Sequence, residues 1–386
     1  MRKISFHLLD NLSGLSVLGL LWFATTSCVG GTVISWCGTN VDQFDPSATN
    51  VVAIAAGCEH SLLLKDDGTV AAFGVYLLSP SPTNVPVTVP AGLTGVVAVA
   101  GGDSHSLALK ADGTVVAWGI NTDGQTDVPP DLTNVVAISA GAKHSLALKA
   151  DGTVVGWGTS GTNAPDGLTN IVAIAAGRGD NLVLKTDGTV VGWGLGGLAV
   201  NPSSLSNIVA ISAGDNFGYE SWDALQADGS VVASGPHFGG TAGPVLSNVV
   251  AISASRGTDW HISLALMTDG TVAALPWGFS VCGGPSVTAD LTNVVAVAAG
   301  DGSSLALIGD GPPVLQALLA DPTWDSKVFR VFVPTQNGRV YRLEYKDTLA
   351  DSDWLGLPLV AGNGGLRTLN DPTANGTQRF YRVRRW

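Results

Sequence analysis

The chain has 386 residues, 45% of them apolar and only 13% charged, with 50 glycines and a formal net charge of −12 at pH 7. That composition fits a large all-β body with a second small domain, and a core of adequate size is available to both. Residues 29–313 hold 7 basic and 23 acidic residues, a balance of −16, whereas residues 314–386 hold 10 basic and 7 acidic, a balance of +3; the acidic part should repel phosphate backbones, which excludes nucleic acid as a partner.

Residues 1–27 open with Arg2 and Lys3, continue into the apolar run Leu15 to Ala24 and end on the small residues Thr25, Thr26 and Ser27. This order reads as a signal peptide, and the run falls short of the roughly 20 apolar residues of a membrane-spanning helix. Cys28 follows the expected cleavage point, where a lipid anchor could be attached. Thr25 stands where a bacterial lipobox usually has Leu, so a soluble secreted form and a lipoprotein both stay open. The expected location is secreted, periplasmic or on the cell surface.

The next 280 or so residues are built from one unit, clearest in Asn134–Gly158 as NVVAISAGAKHSLALKADGTVVGWG. Copies start at Asn50, Gly95, Asn134, Asn170, Asn207, Asn248 and Asn293, which gives spacings of 45, 39, 36, 37, 41 and 45 residues. Periods of this size mean a propeller or a solenoid. Within the unit, Val135 to Ala140, Leu146 to Lys149 and Thr153 to Trp157 are short apolar or β-branched runs bounded by Gly, Asp and Asn, so all three are expected strands. Asp151-Gly152 supplies the turn between the second and third runs. The first run is made of small residues, as in Ala53-Ile54-Ala55-Ala56-Gly57, and is assigned to the crowded inner edge of each sheet. The tryptophans Trp118, Trp157 and Trp193 are assigned to packing within or between sheets.

The two ends of the array carry the topological argument. The seventh copy reaches Asp310-Gly311 and runs into Pro312-Pro313, which cannot continue as a regular paired strand. The missing third strand stands at the start of the array, as Gly31-Thr32-Val33-Ile34-Ser35-Trp36-Cys37-Gly38. The expected fold is therefore all-β, a seven-bladed β-propeller over residues 29–313 closed by the N-terminal strand, followed by a small β-sandwich domain at 314–386. Closure removes the edge strands that an open array would expose.

Gly-x-x-His-Ser at Gly57–Ser61, Gly102–Ser106 and Gly141–Ser145, the recurring Asp-Gly-Thr-Val and Trp-Gly, and the link Asn121-Thr122-Asp123-Gly124-Gln125 resemble the regulator of chromosome condensation repeat family, here in a bacterial secreted form. The resemblance covers roughly residues 29–313 and implies a seven-bladed propeller. It implies little about activity, since that family includes a nucleotide exchange factor for a small GTPase, ubiquitin-ligase modules and a secreted bacterial inhibitor of β-lactamases.

Candidate chemistry is sparse. His60, His105 and His144 share one register, with Asp180, Ser221, Ile262 and Ser303 in the other copies; the expected role is a hydrogen bond to a neighbouring blade rather than a metal site. The turn aspartates, spread around a ring, cannot converge on one calcium ion. Cys37 could reach Cys282 in the same blade, but buried thiols are the expectation for Cys37, Cys58 and Cys282, because spacing alone does not fix pairing. A nucleophile elbow, a phosphate-binding glycine loop and a His-Glu-x-x-His pattern are all missing from the sequence. A binding or scaffold module without cofactor or metal is therefore expected rather than an enzyme, acting as a monomer. Its partner would be a protein or carbohydrate ligand, with inhibition of an extracellular enzyme, or polysaccharide binding or processing, as special cases.

Loop length points to the binding face. Between the Gly that ends the first strand and the Asp of the turn lie 9 residues in repeats one to four and seven, but Gly214 to Asp228 and Ser255 to Asp269 each enclose 13. Blades five and six thus carry insertions at the same end, and Phe217, Tyr219, Trp222, Arg256, Trp260 and His261 are the candidate binding residues. These aromatics either meet a partner or fold down to cover the blade ends.

After Pro312-Pro313, Val328–Val333 and Val340–Tyr345 alternate in strand fashion, with Asn337-Gly338 placed to make a hairpin turn between them. Arg379 to Arg385 alternates again. These runs resemble C-terminal β-sandwich modules of secreted bacterial proteins, and the Arg-rich strand is expected to present a solvated face.

Overall fold

The computed structural model describes residues 31–37, 40–43, 49–76, 85–159, 162–194, 205, 207–216, 219–235, 240–242, 246–257, 263–275, 291–300, 304–309, 320–325, 328–336, 339–348, 350–351, 353–363, 365–374 and 379–386. Among them there is no helix, and the core strands of each repeat pair antiparallel in a sheet.

The third repeat shows the pattern. Val135–Ala140 pairs with His144–Lys149, which pairs in turn with Val154–Gly158. The middle strand is buried from His144 to Leu148, because it is flanked by strands on both sides and covered on both faces by the neighbouring sheets; such a strand reads as a continuous apolar run instead of an alternating one. The first strand is only half-buried along its middle, and first strands of successive repeats touch one another. Small side chains let the backbones come this close, and serines then join them. Ser139 Oγ accepts a hydrogen bond from Ala176 N at 2.9 Å, Ser212 Oγ one from Ala254 N at 2.9 Å and Ser253 Oγ one from Ala299 N at 3.0 Å.

Two left-handed backbone positions recur in the repeats. Lys149 N donates to Thr153 O at 2.8 Å and Gly152 N to Lys149 O at 2.9 Å, so Ala150, Asp151 and Gly152 form a three-residue loop. Gly152 holds φ at 86°, the left-handed bulge position of such loops. Asp151 Oδ1 accepts from Thr153 N at 2.9 Å, fixing the turn from within. The repeat starts on a second left-handed residue, Asn134 at φ 58°, whose carbonyl accepts from Ala150 N at 2.8 Å. The other copies use Asn at the same place except the second, which uses Gly95 at φ 68°.

At the array's ends, Thr32–Cys37 pairs antiparallel with Ser304–Ile308, from Thr32↔Ile308 to Trp36↔Ser304. The chain's first described strand thus joins the sheet of its last repeat. Gly31 N also donates to Val51 O at 2.9 Å, and Val33 shares a buried cluster with Val51 and Leu63 of the first repeat and Leu305 and Leu307 of the last. Cys58 is a half-buried thiol; Cys282 and Cys28 lie outside the described residues, and with them the alternative of a Cys37–Cys282 pairing and that of a lipid anchor.

Residues 320–386 form two sheets. One holds Ala320–Asp325, Val328–Pro334 and Leu366–Asp371, the other Val340–Lys346 with Leu355–Gly356, Val360–Ala361 and Phe380–Arg385. This corrects the expected hairpin: Val328–Pro334 and Val340–Lys346 lie in different sheets. A two-residue turn at Asn337-Gly338 would set Val333 opposite Arg342 and Val331 opposite Glu344, placing apolar and charged residues on one face, and residues directly opposite share a face. Instead Phe329, Val331 and Val333 join Tyr341, Leu343 and Tyr381 in a common core, with the Phe329 and Tyr381 rings stacked at 3.8 Å.

The Arg-rich strand is also not simply solvated. Arg379 pairs with Asp371 at 2.6 Å and Asp347 at 2.8 Å, and Arg382 with Glu344 at 2.6 Å. These carboxylates come from outside the strand itself, Asp347 and Glu344 from more than 30 residues away, which is why alternation alone suggests solvent. The unit packs on the third and fourth repeats: Leu359 N donates to Ala150 O at 3.0 Å, Arg384 Nη1 to Thr186 O at 2.9 Å, and Val340, Leu359 and Trp386 join the buried cluster of Ile171 and Leu184.

Candidate binding face

Each sheet has two ends, and register assigns what stands at each. The Asp-Gly turns and the contacts of residues 340–386 lie at one end; the glycines that follow the first strand and the histidines that open the second lie at the other.

At the latter end the Gly-x-x-His-Ser motif works as a link between repeats. Gly141 N donates to His144 O at 2.8 Å, closing the turn, and Ala142 N donates to Gly177 O of the next repeat at 3.3 Å. His144 folds back over Gly141, so that a Cβ there would stand 2.3 Å from His144 Cε1; only glycine leaves room for the ring. His60 Nε2 meets Ser106 Oγ at 3.0 Å, His105 Nε2 meets Ser145 Oγ at 3.0 Å and His144 Nε2 meets Asn181 Oδ1 at 2.7 Å. The imidazoles are buried. They bond to the neighbouring repeat, as expected, and no group of three or more metal-ligating side chains occurs among the described residues. Tyr76 Oη adds a 2.8 Å bond to Ser106 Oγ, and burial pushes its pKa up to about 12 against the opposing effect of that bond. Gln125 O, in the link between repeats two and three, accepts from Ser145 Oγ and Trp157 Nε1, both at 2.9 Å.

The ladder changes after the fourth repeat, where Asp180 takes the histidine position. Asp180 is buried there, as the histidines are. In the fifth repeat the first two strands lengthen to Ile208–Asn216 and Tyr219–Gln226, paired as far as Asn216↔Tyr219. A short segment of the sixth repeat, Arg256–Gly257, then adds in parallel, with Asp215↔Arg256 and Asn216↔Gly257. The two insertions therefore meet in one five-stranded sheet. Here β-pairing connects neighbouring repeats, where earlier repeats use histidine.

Of the candidate binding residues, Tyr219 lies at the tip-proximal end of this long hairpin and Arg256 on the added strand. Phe217, Trp260 and His261 lie outside the described residues. Trp222 must be corrected: it is 3% exposed and belongs to the core with Leu182, Ala213 and Ala224. It pairs with Ala213 as Ser145 pairs with Ala140, so it occupies the serine position of the ladder and not the insertion. Counting residues between landmarks gives the size of an insertion but not which residues it contains.

A family search matches residues 96–125 and 135–163 to the regulator of chromosome condensation (RCC1) repeat. Comparison with curated proteins finds no match. Among solved structures, Saccharomyces cerevisiae Prp20p, reported with its binding properties to Gsp1p and histones, is 19% identical, covers 74% of this chain and 93% of its own and superposes with a TM-score of 0.56. Yeast RCC1 (Prp20) bound to Kap60 is 19% identical, with coverage of 78% and 96% and a TM-score of 0.53. Human WBSCR16 is 18% identical, with coverage of 72% and 99% and a TM-score of 0.54. The second and third repeats thus match the RCC1 repeat model, and the fold is similar to that of RCC1-type β-propellers.

Proposed function

We propose that this chain is an exported protein-binding scaffold, a seven-bladed propeller over residues 29–313 closed by its N-terminal strand, whose recognition face is formed by the insertions of blades five and six. Pairing of Thr32–Cys37 with the last repeat supports closure. The observation that carries the functional reading is the pairing of Asp215 and Asn216 with Arg256 and Gly257. It joins two insertions of different blades into one ordered unit, and order before binding lowers the entropic cost of association. Prp20p, of similar fold, was described with protein partners, which favours a protein over a carbohydrate here. Residues 1–27 act as the export signal, Cys28 is the one position for a lipid anchor, and residues 314–386 form the accessory sandwich domain.

The test uses envelope extracts and single alanine variants. Tyr219→Ala, Arg256→Ala and Trp260→Ala should each weaken capture of a stable protein partner while the protein stays folded. Trp222→Ala serves as the core control, losing roughly 3 to 5 kcal/mol of stability. Capture unchanged in all three of these variants would put the recognition face elsewhere.

A further inference from the structure

A cleft of about 610 Å³ separates the turn end of repeats three and four from the C-terminal unit, a size suited to a small molecule. Its C-terminal wall carries Arg342, Arg382 and Arg384 with two carboxylates, Glu344 and Asp353. Glu344 is committed to Arg382 at 2.6 Å, with Arg384 at 3.9 Å. Arg342 is only 8% exposed, pairs with no carboxylate within salt-bridge distance among the described residues, and its buried Nε has no hydrogen-bond partner among them. A buried polar group without a partner is costly. Burial holds this guanidinium below the ordinary arginine range, with Glu344 opposing the effect and Arg384 adding to it. One face of each arginine is already used: Arg384 and Arg342 lie 4.9 and 5.9 Å from the ring centre of Trp386.

The opposite wall is of another kind. Asp151 and Asp187 line it, and each has Oδ1 occupied by its own turn, by Thr153 N and Thr189 N at 2.9 Å. Hydrogen bonds from Thr153 and Thr189 hold both carboxyls below the usual carboxylate range, so at neutral pH they only accept. A ligand filling the cleft must therefore bring an oxyanion to one wall and donors to the other. We propose that the cleft binds a small polyhydroxylated acid, an acidic sugar or sugar phosphate, with its carboxylate or phosphate on Arg342 and Arg384 and its hydroxyls toward Asp151 and Asp187.

The full chain is titrated calorimetrically with glucuronate, glucose 6-phosphate, glucose and inorganic phosphate. Binding of one of the two acids with a Kd of about 1 mM or tighter, and at least about tenfold weaker binding of glucose and of phosphate, is expected. Which acid binds separates a carboxylate ligand from a phosphate one. Arg342→Met should weaken the bound acid at least about tenfold. Because that change could also loosen the docked unit, Asp187→Asn, which leaves all three arginines in place and keeps an acceptor for Thr189 N, should weaken it as well in a chain that stays folded at the titration temperature. No heat with either acid, glucose or phosphate bound as tightly as the acids, or unchanged affinity in Arg342→Met would overturn the proposal.

Discussion

Deleting residues 30–38 removes the strand that joins the start of the array to its end. That strand is in register with Ser304–Ile308 over the pairs Thr32↔Ile308 to Trp36↔Ser304, a ladder of about five hydrogen bonds at about 1 kcal/mol net each. Val33, 1% exposed, contributes about 2 kcal/mol more by burial. A loss of about 6 to 8 kcal/mol rivals the whole stability of a typical domain, about 5 to 15 kcal/mol. The effect should not stay local, because Val33 packs on Val51 and Leu63 as well as on Leu305 and Leu307, so first and last repeats loosen together. Thermal and urea unfolding followed by circular dichroism would show a large drop in melting temperature and a broadened transition. Val33→Asp, burying one charge at the joint, should reproduce much of it. A deletion that melts within about 2 °C of the full chain, when 1 kcal/mol is worth about 1 to 2 °C for a chain of this size, would refute the reasoning.

Gly141→Ala tests the turn beneath the histidine ladder: its Cβ would stand 2.3 Å from His144 Cε1 and 2.7 Å from Gly177 O, and a loss of about 1 to 3 kcal/mol is expected. Adding His144→Ala should recover part of that loss, so the two changes will be non-additive in chemical denaturation. In acid, burial raises the Asp371 pKa, but hydrogen bonds from Thr373, Arg379 and Tyr381 outweigh it and the net shift is downward. Its contribution is therefore present above the unfolded value near 3.9 and lost as pH falls through the folded value; Asp371→Asn should flatten that acid limb of the melting curve. In alkali, the raised pKa of Tyr76, about 12, gives the opposite sign: stability is full below about 10 and lost as pH rises toward 12. Tyr76→Phe should remove that part of the alkaline decline.

The strands of the repeat are legible because their apolar runs, Asp-Gly turns and small first strands recur, so chance is averaged out. The left-handed start of each unit is equally present in the sequence, since Gly95 replaces Asn in one copy, and Gly and Asn share little else but tolerance of positive φ. The histidine bonds could be anticipated from the shared register. The role of Gly141 could not, because it depends on where the His144 ring lies. Trp222 was misplaced because a length count cannot locate an insertion within its loop. In the C-terminal unit the Asn337-Gly338 signal was outweighed by long-range partners. The mismatch of Val333 with Arg342 was nonetheless readable, and the carboxylates that hold Arg379 and Arg382 were not.

The insertions of the fifth and sixth repeats also connect their sheets, so recognition and structure must be separated there. The most direct measurement replaces both with the short loop Gly141–His144 of the third repeat and follows melting and partner capture together. The account predicts a folded chain, melting within about 3 °C of the parent (about 2 kcal/mol), that no longer captures its protein partner from envelope extracts. Capture at parental strength by the folded loop-swapped chain would contradict it.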